Sequence, residues 1–294
     1  MNEPAAVFDP DAPDPGDDPG DARASRGFPD ARTVAFSLMF AGVAATALIL
    51  SPVTLFALML ALCIASAGEL YRSVRRAGAR PIPLAGFAAI GGVFALAYHG
   101  PDALLGGIPA VAAAVAGVSL VAMIALRRVD GALAGAASTV AVALVVGVLG
   151  SFVVTIRQVE SGFRVALTFA LMVAAGDVAA SLAGRRFGSR PLAPSIGPDK
   201  TWGGLAGGTA GVMIAAAVAG ASIQAPITMS RAMMLGVLVA VALPLGDLSG
   251  AMIVRDGPPP RSAGFFGRGG VLDRIDGLLF AAPIFYFAYR AMVR

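Results

Sequence analysis

The chain has 294 residues, 57% of them apolar and only 14% charged, with a formal net charge of +4 and a mean hydropathy of +0.80. Soluble domains carry roughly 25% charged residues, so this composition excludes a water-soluble globular fold for most of the chain. The basic balance does not indicate nucleic acid either, because the arginines sit in short segments between apolar runs, the distribution that orients membrane proteins.

Residues 1–32 hold eight acidic residues, three arginines and many prolines, and almost nothing that could form a core. They are expected to be a disordered acidic tail on the cytosolic side. No basic n-region precedes the first apolar run, which argues against a cleaved signal peptide. Residues 33–294 read as one polytopic membrane domain. Apolar runs fall near 33–50, 52–69, 82–99, 103–126, 133–155, 162–182, 203–223, 231–253 and 277–293. Each is close to the ~20 residues that cross a bilayer as a helix, and helices pair every backbone polar group within the segment. The expectation is an all-α integral membrane protein of about nine transmembrane helices. Ser51-Pro52 marks the tightest turn. Cys63, the only cysteine, lies inside an apolar run and has no partner for a disulfide. His99, the sole histidine, reads as an interfacial residue beside Gly100-Pro101.

Fourteen basic residues follow the second, fourth, sixth and eighth runs, against five on the other side. This asymmetry predicts a cytosolic N-terminus. It also places the two longest inter-helix loops, 183–202 and 254–276, in the cytosol, and loops of that length usually carry function.

The polar residues of interest gather in 177–276. Asp177 and Asp247 each follow a glycine within an apolar run and precede one of the long loops. An ionised carboxylate in a spanning segment is costly unless it meets a partner, a cavity or a cation. Two at similar depth suggest one shared site, or two separate pairings with arginines that lock helices. Asp273 and Asp276 are three residues apart and share a helix face. Beside the glycines at 267, 269 and 270 they suit Mg²⁺ held together with substrate phosphates, or simply the dipole at the start of the last helix. Pro198-Asp199-Lys200-Thr201-Trp202 contains the only lysine and the only tryptophan. A lysine and a hydroxyl at a helix start can hold a phosphate; a Lys–Trp pair can also be an interfacial anchor. Glycines 203, 207 and 211, and 204 and 208, form overlapping GxxxG spacings, the mark of close helix packing within the chain or with a second copy. No Ser–His–Asp, CxxC or P-loop pattern occurs.

On these motifs the chain resembles the phosphatidate cytidylyltransferases (CDP-diacylglycerol synthases). One stretch, GDVAASLAGRRFGSRPLAPSIGPDKTW from Gly176 to Trp202, is similar to that family's Asp-x-x-Ala, Gly-Arg-x-Phe-Gly, Leu-x-Pro and Pro-x-Lys-Thr-Trp succession. The other is Gly246-Asp247-Leu248 with the ending Gly269-Gly270-Val271-Leu272-Asp273-Arg274-Ile275-Asp276. Departures fall at Ser181, Gly197, Gly203, Ala251, Val254, Pro260, Arg261 and Arg268, the last in place of a histidine. The resemblance implies transfer of a cytidylyl group from CTP to phosphatidate or a related lipid phosphate, in the cell membrane with the site facing the cytosol and with membrane lipids as partners. It implies Asp247, Asp273 and Asp276 as Mg²⁺ ligands and, with Lys200, as the catalytic set. Asp177, Arg185, Thr201, Arg268 and Arg274 would contact substrate. Readings beside it are a CTP-using enzyme acting on another lipid or prenyl phosphate, a catalytically weak paralogue, and a transporter using Asp177 and Asp247 as an ion path. A transporter calls for inverted repeats and broken helices, and no repeat is visible. A homodimer would be one use of the glycine spacings.

Overall fold

The computed structural model describes residues 43, 45–127, 130–222, 227–255 and 270–293, apart from the side chains of 198–199 and 253–255. They belong to one compact unit, Met39–Arg294; a second, Met1–Leu38, which includes the expected tail, lies outside the described residues. The apolar runs form helices α1 (Pro52–Arg76), α2 (Pro83–Tyr98), α3 (Pro101–Ala125), α4 (Ala132–Gln158), α5 (Gly162–Phe187), α6 (Trp202–Ser222), α7 (Met229–Arg255) and α8 (Leu272–Val293). Six of them, α1 and α3 to α7, are long and apolar enough to cross a membrane, and α2 is apolar but shorter. Of the run 33–50, residues 45–50 are helical and most of the rest lies outside the described residues. Leu84, Ile124 and Leu133 point outward at 77–80% exposure, as lipid-facing side chains do. The chain is a multi-pass membrane protein.

Local chemistry explains where the helices begin. Ser51 caps α1 reciprocally: its Oγ accepts from the Thr54 N–H at 3.1 Å, and Thr54 Oγ1 accepts from the Ser51 N–H at 3.1 Å. Pro52, Pro83 and Pro101 each occupy the first turn of their helix, where no N–H is needed. The core centres on α4. A Cβ at Gly150 would overlap Cys63 Sγ and stand 3.2 Å from Leu279 and 3.6 Å from Phe94, so α1, α2 and α8 converge on that one glycine. Near the end of α4 that receives α1, Tyr71 Oη donates to the Thr139 carbonyl at 3.0 Å and Thr139 Oγ1 accepts from the Ile82 N–H at 2.9 Å.

The most extensive helix contact is between α5 and α6. A Cβ on Gly207 would overlap that of Ala183, one on Gly208 would stand 3.0 Å from the Ala180 Cβ, and one on Gly211 2.6 Å from the Ala179 Cβ. The GxxxG spacings are thus consumed inside the chain, and they lend no support to a homodimer.

The described residues are almost all helical, as expected of an all-α chain, with one short hairpin that the sequence did not suggest. Within loop 183–202, β1 (Pro191–Ala193) pairs antiparallel with β2 (Gly197–Thr201), Pro191 opposite Thr201 and Ala193 opposite Gly197. Pro191, Pro194 and Pro198 bar a helix here and push their preceding residues toward extended backbone. The Trp202 N–H donates to the Arg190 carbonyl at 3.1 Å, closing the hairpin onto the first residue of α6. Helices also outrun the apolar stretches, α1 to Arg76, α5 to Phe187 and α8 from Leu272. Backbone hydrogen bonding continues where hydropathy stops.

Candidate active site

The site begins with glycines at the crossing of α7 and α8. A Cβ on Gly246 would stand 2.5 Å from the Asp276 carbonyl oxygen and 2.8 Å from the Gly277 Cα. A Cβ on Gly250 would overlap Asp276 Oδ2 and lie 3.0 Å from the Asp276 Cβ and Cγ. On the facing helix, a Cβ on Gly277 would stand 2.9 Å from Asp247 Oδ1. The two backbones therefore approach closely enough to set the carboxylates of Asp247 and Asp276 side by side. Gly246 and Gly250 form a GxxxG spacing of their own, one that the sequence reading passed over.

Asp276 is buried, at 4% exposure. Its Oδ1 accepts from the Gly277 N–H at 2.8 Å, and its Oδ2 has no hydrogen-bond partner among the described residues. A buried unpaired donor or acceptor costs about 1–3 kcal/mol, and more when it carries charge. An oxygen in that state can accept a cation or a further donor. Asp273, one turn earlier, is exposed. The two share a helix end but not an environment.

Opposite them, β2 delivers Lys200. Its Nζ donates to Asp247 Oδ2 at 2.8 Å, with both side chains about 30% exposed. Burial opposes the charged ammonium, yet Asp247, Asp273 and Asp276 together outweigh it and raise the Lys200 pKa above the ordinary lysine value. One cation thus stands among three carboxylates. Asp177 lies on the α5 surface, and Asp247 and Lys200 are the charged groups that act on it. Helices α5 and α7 run unbroken past Asp177 and Asp247, unlike the discontinuous helices of transporter sites.

The remaining candidates are less concentrated. Thr201 caps α6, its Oγ1 accepting from the Gly204 N–H at 3.1 Å. Arg185 is exposed in the last turn of α5. Arg274 lies in the first turn of α8, its N–H donating to the Val271 carbonyl at 3.1 Å. Arg268 lies outside the described residues, as do the departures at Pro260 and Arg261.

Glu69, half-buried on α1, was not singled out by the sequence reading. Its Oε1 accepts from the Val271 N–H at 2.9 Å and its Oε2 from the Leu272 N–H at 3.0 Å, at the start of α8. The available signal was its position as the only acidic residue between 31 and 101.

Among the described residues, no three His, Cys, Asp or Glu side chains are gathered as a ready-made metal cage. Mg²⁺ asks for less, one or two carboxylates with water and substrate phosphates filling an octahedron. The unpartnered Oδ2 of Asp276 and the adjacent carboxylate of Asp247 fit that requirement.

A sequence model of the cytidylyltransferase family matches residues 30–292. The chain is 33% identical over 134 residues to the uncharacterized protein YnbB of Escherichia coli (strain K12), covering 45% of each chain. It is 35% identical over 130 residues to a phosphatidate cytidylyltransferase of Brucella suis biovar 1, covering 42% of this chain and 46% of that one. A phosphatidate cytidylyltransferase of Bacillus subtilis (strain 168) is 29% identical over 147 residues, 49% of this chain and 55% of that one. The chain thus spans about half the length of these relatives. With a family match over nearly its whole length and the two motif stretches meeting at Lys200, Asp247 and Asp276, the chain belongs to the cytidylyltransferase family.

Proposed function

We propose that the chain transfers the cytidylyl group of CTP to phosphatidate, forming CDP-diacylglycerol and releasing pyrophosphate. The observation that carries this reading is the Lys200–Asp247 pair set beside a buried Asp276 carboxylate with one oxygen unpartnered. In the reaction, an oxygen of the lipid phosphate attacks the α-phosphorus of CTP, and the bond from that phosphorus to the oxygen bridging to the β-phosphate breaks. A phosphomonoester is largely dianionic near neutral pH, its second pKa being about 6. No general base is needed, in keeping with a site built from carboxylates and cations.

The difficulty lies in bringing two anions together, and catalysis is charge neutralisation in a fixed geometry. Lys200 supplies a cation that its carboxylate neighbours keep protonated, and Arg274 and Arg185 bring further positive charge to the phosphates. Asp247 and Asp276, with Asp273 at the mouth, are the residues that would hold Mg²⁺. Bound there, the ion would offset negative charge on the phosphate oxygens. Thr201 fixes the start of α6 and with it the reach of Lys200. Asp177 would adjust the field at Asp247 from the side of α5.

The positive-inside asymmetry supports a topology of nine spans in the cell membrane, beginning with the run 33–50 and an N-terminus in the cytosol. In that arrangement the site opens to cytosolic CTP and to lipid of the inner leaflet. The test is purified full-length protein with labelled CTP, Mg²⁺ and a panel of lipid and prenyl phosphates. Labelled CDP-diacylglycerol from phosphatidate is the expected product. A labelled product from a different acceptor alone would overturn the lipid assignment, and no product from any acceptor would overturn the activity.

A further inference from the structure

We infer that Glu69 is a positioning residue of this site: it holds the first turn of α8, and through it Asp273 and Asp276, from a helix that contributes none of the motif residues. The inference rests on the functional reading just given. Both carboxylate oxygens of Glu69 are taken by backbone donors, the N–H groups of Val271 and Leu272. These are groups that a helix leaves unsatisfied at its start. A carboxylate there makes charge-assisted hydrogen bonds and meets the positive end of the helix dipole. Each oxygen of Glu69 thus has a backbone partner at the start of α8.

Its fit is specific. A Cβ on Gly270 would overlap Glu69 Oε2 and stand 2.6 Å from Cδ and 2.7 Å from Oε1, so the bare backbone at 270 is what admits the carboxylate. On the α1 side, Leu70 and Tyr71 are buried beside it, and Tyr71 Oη is tied to the Thr139 carbonyl. The acceptor is therefore carried on an anchored turn. On the α8 side, Val271 and Leu272 are buried at 4% and 5% exposure, so water has little access to replace Glu69. Asp273 follows within the same turn and Asp276 one turn later. A shift of this helix start moves both relative to Asp247 and Lys200.

Residues that orient ligands from behind typically cost roughly 10–100-fold in metal affinity or activity when changed. In full-length protein, Glu69→Gln keeps the shape and one acceptor oxygen while removing the charge. It is expected to raise the Mg²⁺ concentration giving half-maximal CDP-lipid formation by about tenfold, with the KM for phosphatidate unmoved. Gly270→Ala, which expels the carboxylate, should show the same signature. The Glu69→Ala/Gly270→Ala double variant should be no worse than Glu69→Ala alone, because both act on one contact. A residue that merely stabilised the fold would lower the yield of active protein and leave the Mg²⁺ dependence in place. Hydrogen exchange supplies a readout independent of activity: protection of the Val271 and Leu272 amides should fall in Glu69→Gln. Unchanged protection overturns the contact, and lost protection with an unchanged Mg²⁺ dependence overturns the positioning role. If wild type makes no CDP-lipid, the functional reading fails and takes the positioning role with it, while hydrogen exchange still decides the contact.

Discussion

Two helix crossings in this molecule use the same device for different ends. Between α5 and α6, the glycines at 207, 208 and 211 let alanine methyl groups come into contact, and the space gained by losing Cβ atoms is filled by apolar packing. Between α7 and α8, Gly246 admits the α8 backbone, and the room at Gly250 and Gly277 is taken by the carboxylates of Asp276 and Asp247. The first crossing fastens helices where no hydrophobic effect between them is on offer. The second places charge where charge is costly, and it leaves one oxygen without a hydrogen-bond partner among the described residues. Close packing at 207–211 is an end in itself; at 246–250 it frames the candidate site.

Substitutions can separate the two uses. The largest effect should come from the second crossing. Gly250→Ala pushes a methyl group into Asp276 Oδ2, and Asp276→Asn removes the charge. Either should lower CDP-lipid formation by about 100-fold or more, since each disrupts metal-assisted neutralisation. Asp273→Asn should also abolish product formation while the protein stays folded. Next in size, Gly207→Ala at the first crossing should destabilise the protein by about 1–3 kcal/mol through overpacking. Thermal melts in detergent would measure that loss, and the activity per folded molecule should be unchanged. A loss of activity without loss of stability would erase the distinction between the crossings. Thr201→Val is smaller, near 1 kcal/mol for a lost helix cap, again read by melting.

The smallest effect concerns pH. The Lys200 pKa is raised by the carboxylates around it, so the stability contributed by its pairing is complete below the unfolded lysine pKa of about 10.4 and is lost only as pH rises through the higher folded value. The stability difference between wild type and Lys200→Met should be flat from neutral pH to about 10 and shrink above it.

Much of the architecture was legible in the sequence because hydropathy and length act locally. The runs from 52 onward each became a helix, and the tight turn expected at Ser51-Pro52 falls at the N-cap of α1. The hairpin at 191–201 was missed because the proline signals there were absorbed into a loop. Lys200, Asp247 and Asp276 were legible as candidates by their chemistry alone, a lone lysine and carboxylates in or beside apolar runs. Their mutual arrangement was not, since it depends on where α7 and α8 cross. The unequal burial of Asp273 and Asp276 is likewise invisible to spacing, which places both on one helix face. Glu69 escaped for a related reason: its partners are backbone amides some 200 positions away, and a backbone donor leaves no mark in sequence.

If the α7–α8 crossing holds Asp276 ready, beside Asp247 and Lys200, for a cation that arrives with a nucleotide, CTP binding must depend on Mg²⁺ and on that carboxylate. Equilibrium binding of labelled CTP to the purified protein, with and without Mg²⁺, tests it most directly in wild type and Asp276→Asn. Wild type is expected to bind CTP in a Mg²⁺-dependent manner, and Asp276→Asn, folded to the same melting profile, to lose that dependence. Mg²⁺-dependent binding of equal strength in Asp276→Asn would contradict it.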